Sequence, residues 1–404
     1  MNRTGLLYLT ADGLLQPLGF SQVVRVVEGL ARRGWEYDIF SLERGSDLRD
    51  ERRVRELRLR LDAAGIGWRF AEYGEGGGGR TAFDNEQRLV SAAVDFKGRG
   101  IHARAYHSAV AALAAWVARR TPYLFDTRCY WFDERLEDGR WFTTPVRLGV
   151  ARGIEHHLFS RAAGVVTLTE LQADDVRGGR FGKPTQRSIL CIPTCADFDD
   201  FRRRPLSEVA LPAEAKERLS GKRVIALIGS INRSYLVDES IDLVKRFLRL
   251  DARAHLLVLS AQQDEYRTRL KGVEAERFTI TRANHDAMPQ WLSLIEWGPL
   301  LLNPSSPAKR ASMPTKLAEY FASGVRPIQF GCNSELGDWV RRTGSGVALN
   351  DVTAETLEST AQWMANTPSE EALRERARVT AEQHFSLATG IERYEQVLRA
   401  TFAP

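Results

Sequence analysis

The sequence predicts an α/β protein of two doubly wound, Rossmann-like domains that face a central cleft. The chain has 404 residues, more than one hydrophobic core usually supports, so two domains are expected. Short apolar runs alternate with segments of helical periodicity from end to end, which is typical of parallel α/β layers. A second series of such units restarts near residue 222, after a polar segment with two prolines.

The first half contains seven apolar runs of strand length, which are residues 6–9, 37–42, 67–70, 103–106, 124–126, 165–168 and 189–192. Helices fit between them. In residues 21–33, for example, Val23, Val24, Val27 and Leu30 form an apolar face, and Gly34 supplies the end of the helix.

The second half contains six further strand candidates, which are residues 222–229, 255–259, 278–281, 300–303, 326–330 and 346–349. Residues 197–221 are the predicted interdomain linker. The expected N-terminal domain spans residues 1–200, and the expected C-terminal domain spans residues 201–380. Ligands of doubly wound sheets bind beyond the carboxyl ends of the strands.

The composition excludes several classes of protein. Hydrophobic residues at 43% and charged residues at 27% are close to globular averages, which argues against a disordered or fibrous chain. The longest apolar stretches, such as 109–117 and 297–302, fall short of the roughly 20 residues of a membrane-spanning helix. The N-terminus lacks the features of a signal peptide, and the four cysteines lack zinc-site spacing. We therefore expect a cytoplasmic protein without a metal site.

A formal charge of +5 leaves two interpretations open. The first is a soluble surface rich in arginine. The second is peripheral contact with an anionic membrane. The best candidates for that contact lie on one predicted helix and are Arg52, Arg53, Arg55, Arg58 and Arg60. Nucleic acid is a weaker option, because no interleaved aromatic and basic motif accompanies the charge.

Residues 309–324 form the most informative segment. Ser312, shortly before a proline, predicts a helix start, and Gly324 predicts its C-terminal cap. Lys316 then lies in the first turn, where the helix dipole disfavours a cation unless an anion binds there. Free backbone N–H groups, the Thr315 hydroxyl and the ammonium groups of Lys309 and Lys316 would suit a diphosphate.

Glu319 follows Lys316 on the same side of this helix, among apolar residues. A carboxylate in such surroundings is expected to have a bound partner, and ribose hydroxyls are a good one. The alternative is a solvated Glu319 paired with Lys316 at helical spacing.

A second constellation follows the strand that ends at Asp126 and comprises Asp126, Arg128, Trp131, Asp133 and Glu134. Carboxylates, a guanidinium and an indole at a strand end suit sugar binding. Asp126 is the candidate polar anchor or base of such a site, although it could instead cap the next helix. Arg128 and Glu134 could form a plain ion pair, and His107 could contact the sugar or be satisfied by the backbone.

These segments together resemble the retaining glycosyltransferases of family 4, in particular those of polysaccharide assembly. Residues 7–23, which include Gly19, are similar to that family's N-terminal loop, and residues 102–106, 125–135 and 192–198 are similar to further N-domain motifs. The helix around Glu319 is similar to the donor-binding helix. The Gly19 loop precedes a helix, so Gly19 could let the backbone approach the donor phosphate, or it could form an ordinary tight turn.

The resemblance implies the GT-B fold, a nucleoside-diphosphate-sugar donor and a saccharide or lipid-linked acceptor. It implies that residues 1–200, completed by a C-terminal helix at 381–404, form the acceptor-binding domain and that residues 201–380 form the donor-binding domain. Asp126 would then lie on the acceptor side.

The resemblance also implies retention, with the donor phosphate assisting deprotonation and with Asp126, Arg128, Lys316 and Glu319 carrying the chemistry without a metal or cofactor. Gly229 and Ser230 would lie beneath the diphosphate, and His285 would lie near the nucleotide base.

The sequence departs from the family pattern at three positions. The family has two glutamates with seven residues between them, and the position of the first is Ala311 here. Its Arg and Lys pair falls near Ser230 and Tyr235, so that Lys309 and Lys316 would have to supply the positive charge. A non-catalytic relative that binds a sugar nucleotide or scaffolds an assembly complex is therefore the main alternative. A GT-B epimerase would need more acid and base residues.

Overall fold

The structure is a computed structural model that describes residues 5–76, 79–137, 139, 144–182, 188–305, 307–331, 334–369 and 371–402, without the side chains of 285, 307 and 334. The chain divides into two compact units. The first comprises Met1–Thr194 with Leu387–Pro404, and the second comprises Cys195–Ser386.

The first unit is built on a sheet of seven parallel strands in the order β3-β2-β1-β4-β5-β6-β7. The strands are β1 Leu6–Thr10, β2 Tyr37–Arg44, β3 Gly67–Tyr73, β4 Gly100–Arg104, β5 Tyr123–Asp126, β6 Gly164–Thr167 and β7 Ser188–Cys191. Because β1 is followed by β2 on one side and by β4 on the other, the strand order reverses between β1 and β4. This point is where such sheets bind ligands.

The helices of the first unit connect these strands. They are α1 Pro17–Gly19, α2 Arg25–Arg32, α3 Gly45–Leu48, α4 Glu51–Ala63, α5 Gly79–Asp95, α6 Ala105–Arg119, α7 Trp131–Glu137, α8 Pro145–Arg161 and α9 Glu170–Arg177. A π-helical segment, Phe20–Val24, joins α1 to α2. The predicted apolar face of residues 21–33 is buried, and Gly34 has a positive φ of 89° just after the helix.

The second unit has six parallel strands in the order β10-β9-β8-β11-β12-β13. The strands are β8 Arg223–Ile228, β9 Ala254–Leu259, β10 Phe278–Thr281, β11 Ile295–Leu301, β12 Arg326–Phe330 and β13 Val347–Ala348. Its helices are α10 Ala213–Leu219, α11 Val237–Leu250, α12 Gln263–Arg269, α13 Met288–Leu292, α14 Thr315–Ser323, α15 Ser334–Thr343, α16 Ala354–Asn366 and α17 Glu371–Phe385. Three 3₁₀ segments, Ala275–Arg277, His285–Ala287 and Pro307–Ala311, complete it.

The last helix, α18 Leu387–Phe402, belongs to the first unit and packs against α2 and the strands β5, β6 and β7. Its buried residues Leu387, Ile391, Tyr394, Val397 and Leu398 join the same core cluster as Tyr8 and Val27. The chain therefore leaves the first unit after β7 and returns to it with its final helix.

Each predicted strand overlaps an observed strand. The largest differences are β4, which ends at Arg104 because the backbone turns at Ala105 with φ +62°, and β11, which begins five residues before the predicted start. Residues 197–221, the predicted linker, lie within the second unit and contain α10. The Phe201 carbonyl accepts a hydrogen bond from Ser323 Oγ at 2.9 Å, which attaches this segment to α14.

The loop that follows β1 is held by a buried carboxylate. Glu43 on β2 is fully buried and accepts hydrogen bonds from the N–H groups of Leu14 at 2.7 Å and Leu15 at 3.2 Å and from Ser41 Oγ at 2.6 Å. Burial raises the pKa of Glu43, and these three donors oppose that shift. Glu43 thus fixes the backbone beside the reversal point of the first sheet.

We predict that Glu43→Ala lowers the melting temperature by about 4–12 °C, because two buried N–H groups lose their acceptor at a cost of about 2–3 kcal/mol. The control is Glu72→Ala, since Glu72 pairs with Glu43 in the register of β2 and β3 but is exposed. The free energy of unfolding of Glu72→Ala should stay within about 0.5 kcal/mol of the wild-type value. Equal melting temperatures of the two variants would contradict the role given to Glu43.

Candidate functional site

A lysine lies at the carboxyl end of the first strand of the second unit. Lys316 reaches from the first turn of α14 and donates a hydrogen bond to the Ile228 carbonyl at 2.5 Å. Its ammonium nitrogen lies 4.4 Å from the centre of the Tyr235 ring, in a cation–π contact. An ammonium has three donors, so this carbonyl leaves two N–H groups for a ligand.

Gly229 makes room for this cation. It follows β8 with φ +104°, a backbone conformation that side-chain-bearing residues rarely adopt. A Cβ at Gly229 would lie 3.2 Å from Lys316 Nζ. The predicted glycine turn after β8 therefore lies directly against Lys316. Ser230 follows in the same turn, where its Oγ accepts a hydrogen bond from the Asn232 side-chain amide at 3.0 Å.

Lys316 and Glu319 are both half-buried and both have shifted pKa values. Burial lowers the pKa of Lys316 to about 8, and the nearby Glu319 carboxylate partly opposes this shift. Burial raises the pKa of Glu319 to about 7, and Lys316 partly opposes it. Among the described residues Glu319 forms no ion pair with Lys316, so the alternative of a simple helical pair does not hold in this geometry. Strongly shifted groups of this kind are typical of binding and catalytic sites.

The start of α14 differs from the prediction. The helix begins at Thr315 with Pro314 as its N-cap, so Ser312 does not cap it. Ser312 instead donates its backbone N–H to the Lys309 carbonyl at 3.0 Å, at the end of the preceding 3₁₀ turn. Pro314 has no capping side chain. The first turn therefore keeps backbone N–H groups next to Lys316, and Gly324 ends the helix in the left-handed conformation, as predicted.

Lys309 and His285 are the remaining predicted donor residues, and Ala311 has the position of the family's first glutamate. Lys309 lies half-buried in the 3₁₀ turn Pro307–Ala311. The backbone of His285 forms a 3₁₀ turn, while its side chain lies outside the described part of the chain. Ala311 is fully buried, so the position of the family's first glutamate is part of the core here.

The first unit has its own polar cluster at the carboxyl ends of β1, β4 and β5. Asp126 is fully buried and accepts hydrogen bonds from Arg128 Nη2 at 2.5 Å and from the Tyr394 hydroxyl of α18 at 2.9 Å. His102 Nε2 lies 3.5 Å from the same oxygen. Arg128 also donates to Tyr394. Asp126 therefore holds Arg128 and the last helix together.

The negative charge of Asp126 is stabilised by Arg128 and His102. Burial alone would raise the pKa of Asp126, but Arg128, and then His102, hold it well below its ordinary value. Burial also lowers the pKa of His102, which favours the neutral imidazole. A base that accepts a substrate proton needs contact with the substrate, and Asp126 has no exposed surface. The geometry thus supports a structural role for Asp126, which holds Arg128 and α18, and does not support the predicted acceptor-side anchor or base.

Arg104 extends this cluster toward the loop after β1. It is nearly fully buried and donates from Nε to Asp12 at 2.9 Å. Several buried polar atoms nearby make no hydrogen bond with the described part of the chain, namely Tyr8 Oη, His102 Nε2, Arg104 Nη1, Asp126 Oδ1 and Arg128 Nε. Buried polar atoms in proteins nearly always have partners, which include bound water and ligands. Hydroxyl-rich ligands can supply both donors and acceptors to such a set.

The predicted acceptor aromatic, Trp131, begins α7 beside α6. Its ring stacks on Tyr106 with centroids 6.1 Å apart, and His107 approaches it edge-on at 5.2 Å. His107 is half-exposed, and its Nδ1 lies 2.9 Å from a carboxylate oxygen of Glu86. Trp131 and His107 are therefore in contact, which their positions in the sequence did not predict.

Asp133 differs from the prediction, because it binds protein groups on both oxygens. Its Oδ2 accepts from Arg180 at 2.9 Å, and its Oδ1 pairs with Arg152. This arrangement is a structural ion-pair network that joins α7 to α8 and leaves little capacity for an acceptor. Glu134 is half-buried and donates its backbone N–H to the Tyr130 carbonyl at 2.9 Å.

Gly19 is explained by internal packing. Its φ of −63° is ordinary helical geometry, and a Cβ there would lie 2.0 Å from the Gly13 carbonyl oxygen. The glycine therefore permits close approach of the loop after β1 to α1, and as the last residue of α1 it does not form the tight turn of the alternative prediction.

Sequence reasoning did not single out five residues of the first cluster, which are Tyr8, Asp12, His102, Arg104 and Tyr394. A signal was present for Arg104, because His102 and Arg104 alternate as polar residues within an apolar strand. No local signal marks Tyr394, since it has the spacing of an ordinary core residue of α18.

The described residues contain neither a metal-binding cluster nor a membrane-spanning helix. No group of three or more histidine, cysteine, aspartate and glutamate side chains is placed to hold a metal ion in the described part. No helix among the described residues has the length and apolarity needed to cross a bilayer.

The fold and its two polar clusters define a two-domain α/β protein of the GT-B type. Residues 21–192 match the family described as glycosyl transferase 4-like domain. A comparison with curated protein sequences gave no match. The predicted GT-B fold and the resemblance to family 4 glycosyltransferases are thus confirmed.

Similar solved structures have the same architecture over the whole chain. HepE from Anabaena, in complex with UDP and glucose, has a TM-score of 0.68 at 14% identity, with 98% of this chain and 99% of HepE covered. Sucrose-phosphate synthase from Thermosynechococcus elongatus has a TM-score of 0.66 at 14% identity, with 99% of each chain covered. Trehalose 6-phosphate synthase from Burkholderia multivorans has a TM-score of 0.65 at 12% identity, also with 99% of each covered.

We predict that Asp126→Asn destabilises the protein by about 3–5 kcal/mol, because it leaves Arg128 buried without a counter-charge. The melting temperature should fall by about 6–20 °C. Because the pKa of Asp126 is depressed in the folded state, this stabilisation is present at neutral pH and is lost only as the pH falls below about 4.

The control is Asp174→Asn, which removes a carboxylate from an exposed pair with Arg177. Exposed pairs contribute about 0–1 kcal/mol, so this variant should melt close to the wild type. The structural role of Asp126 is wrong if the two variants melt at the same temperature at pH 7.

Proposed function

We propose that this protein is a retaining glycosyltransferase that moves a hexose-type sugar from a nucleoside-diphosphate sugar to a saccharide or lipid-linked saccharide. The observation that carries the proposal is the cation Lys316 at the start of α14, beside Gly229 and with Glu319 one turn later. An ammonium, uncapped N–H groups and a glycine turn at one strand end suit a diphosphate. Surface polysaccharide or glycoconjugate assembly is the proposed context.

UDP is the first nucleotide to test, because the HepE structures contain UDP and UDP-glucose. In the proposed complex Lys316 contacts the diphosphate and Glu319 accepts hydrogen bonds from ribose hydroxyls. The half-burial of Glu319 among apolar residues supports this assignment, since a bound hydroxyl would replace the lost solvent.

The proposed chemistry is largely positioning and electrostatics. Departure of the diphosphate develops negative charge, which Lys316 and the first turn of α14 would stabilise, while the donor phosphate assists removal of the acceptor proton. Lys309 is the second proposed source of positive charge. We propose that this protein-borne charge serves in place of a metal ion.

The acceptor is proposed to bind to the first unit, at the carboxyl ends of β1, β4 and β5. Arg128 and Asp12 are partly exposed there, and Trp131 and His107 lie together on the neighbouring helices. A lipid-linked acceptor would make the protein a cytoplasmic enzyme that works at a membrane surface.

A catalytically inactive sugar-nucleotide-binding or scaffold protein is the second candidate. The buried Ala311 favours it, because the position of the family's first glutamate has no carboxylate. Slow hydrolysis of a sugar nucleotide by the wild type would distinguish an enzyme from a scaffold.

Thermal shift with UDP, GDP, dTDP, ADP and CMP tests the donor site. A nucleotide at 100 times its dissociation constant should add about 2.7 kcal/mol, which corresponds to about 5–11 °C. We expect one clear binder, and we expect Lys316→Ala and Glu319→Ala to weaken it. The matched controls are Lys271→Ala and Glu274→Ala, which remove the same residue types at the same spacing from an exposed part of the second unit. Absence of any shift in a folded wild type would overturn the donor assignment.

Nucleotide affinity should also depend on pH. Because burial lowers the pKa of Lys316 to about 8, its ammonium is charged below that pH and becomes neutral above it. We predict that the dissociation constant of the bound nucleotide rises several-fold between about pH 7 and pH 9.5, a window above the last phosphate pKa of about 6. Isothermal titration calorimetry at each pH measures this dissociation constant.

Lys316→Arg is the control, because a guanidinium stays charged throughout this window. If it binds the nucleotide, its affinity should change less across this window than that of the wild type, and the change that remains includes the ionisation of Glu319, whose pKa burial raises to about 7. Equal pH dependence in the wild type and Lys316→Arg would contradict the role of Lys316.

A further inference from the structure

Helix α8 of the first unit carries an apolar stripe on its outer face. Val146, Val150 and Ile154 follow one another at intervals of four residues and are 77%, 59% and 38% exposed. Gly149 and Gly153 lie beside them, and a Cβ at either would meet no neighbouring atom. We call Val146, Gly149, Val150, Gly153 and Ile154 the α8 stripe. Exposed apolar surface that is contiguous in this way marks interaction sites.

The exposed charged side chains of α8 have one sign. Arg147 and Arg161 are exposed on α8. The sole acidic residue of α8 is Glu155, which is buried and bound to Arg152 and Tyr106. At the C-terminal end of the helix, Trp116 of α6 contacts two guanidinium groups, those of Arg120 at 4.2 Å and Arg161 at 4.9 Å.

We infer that the α8 stripe docks on the surface of an anionic lipid bilayer. An interfacial helix places apolar side chains among the acyl chains and its arginines at the headgroups, and α8 with its flanking arginines has both features. Tryptophan is enriched at the same depth, which fits Trp116. Because the exposed charges of α8 are those of Arg147 and Arg161, an anionic lipid surface is the partner whose charge is complementary.

Helix α4, whose arginines the sequence indicated as candidates for membrane contact, is less suited to that contact than α8. Three of the five arginines of α4 have partners in the structure. Arg52 pairs with Glu56, Arg60 pairs with Glu28, and Arg58 lies over the rings of Trp68 and Phe70. Leu59 is the single large apolar side chain of α4 that is exposed. Helix α4 therefore lacks an apolar stripe.

A second copy of the chain fits the α8 stripe less well. The two glycines would allow close helix packing. A two-fold axis through the stripe, however, would bring the exposed arginines of one copy next to those of the other. Like charges at close range oppose such a pair, whereas anionic headgroups neutralise them.

The test uses two full-length variants that change the same residue types. Arg147→Glu with Val150→Glu alters the α8 stripe, and Arg55→Glu with Leu59→Glu alters α4 by the same charge. All four side chains are exposed, so both variants should fold, which circular dichroism and melting temperature check. Binding is measured by co-sedimentation with phosphatidylcholine vesicles that contain or lack phosphatidylglycerol.

We expect the wild type to bind vesicles only when phosphatidylglycerol is present, and less strongly at high salt. The α8 variant should lose about tenfold or more in vesicle affinity, because each arginine near the surface contributes about a fivefold factor and a buried valine adds to it. The α4 variant should change by less than about threefold.

Three outcomes would overturn the inference. They are no binding of the wild type to anionic vesicles, equal losses in the two variants, and a dimer in light scattering that only the α8 variant dissociates. The last outcome would assign the stripe to a second copy. The vesicle measurement contains neither donor nor acceptor, so its result is separate from that of the proposed glycosyl transfer.

Discussion

The direction of the strands is the constraint on which the rest of the structure depends. In both units every strand pair is parallel, so all carboxyl ends of a sheet meet at one edge. Polar side chains at those ends are brought together from distant parts of the sequence. Arg104 and Asp126 end adjacent strands of the first sheet, and Lys316 reaches the end of β8 in the second. Charges confined in this way need partners, because burial without them is costly.

The two clusters satisfy that need differently. In the first unit Asp126, Arg128 and Tyr394 bind one another and stabilise the docking of α18, while several buried polar atoms beside them make no hydrogen bond with the described part of the chain. In the second unit the partners of Lys316 among the described residues are a carbonyl and an aromatic ring. Burial lowers the pKa of Lys316 and raises that of Glu319, and each group only partly opposes the shift of the other. Both clusters thus retain binding capacity, and the first also stabilises the fold.

The position of Lys316 also clarifies the departure from the family pattern. The resemblance places basic residues near Ser230 and Tyr235 in the loop after β8. Here the Tyr235 ring lies under the ammonium of Lys316, and Gly229 leaves space for it. The positive charge at the end of β8 therefore comes from α14, the helix that follows the neighbouring strand β11.

The sequence by itself determined the strands, the two-unit α/β architecture and the end of α14 at Gly324, because these follow from local periodicity and from glycine's access to positive φ. Only the tertiary structure decided the partners. Tyr394 meets Asp126 across 268 positions and Glu43 meets Leu14 across 29. Spacing along the chain carries no information about such pairs, since the packing of whole strands and helices sets them. The same packing buries Asp126 and exposes the α8 stripe.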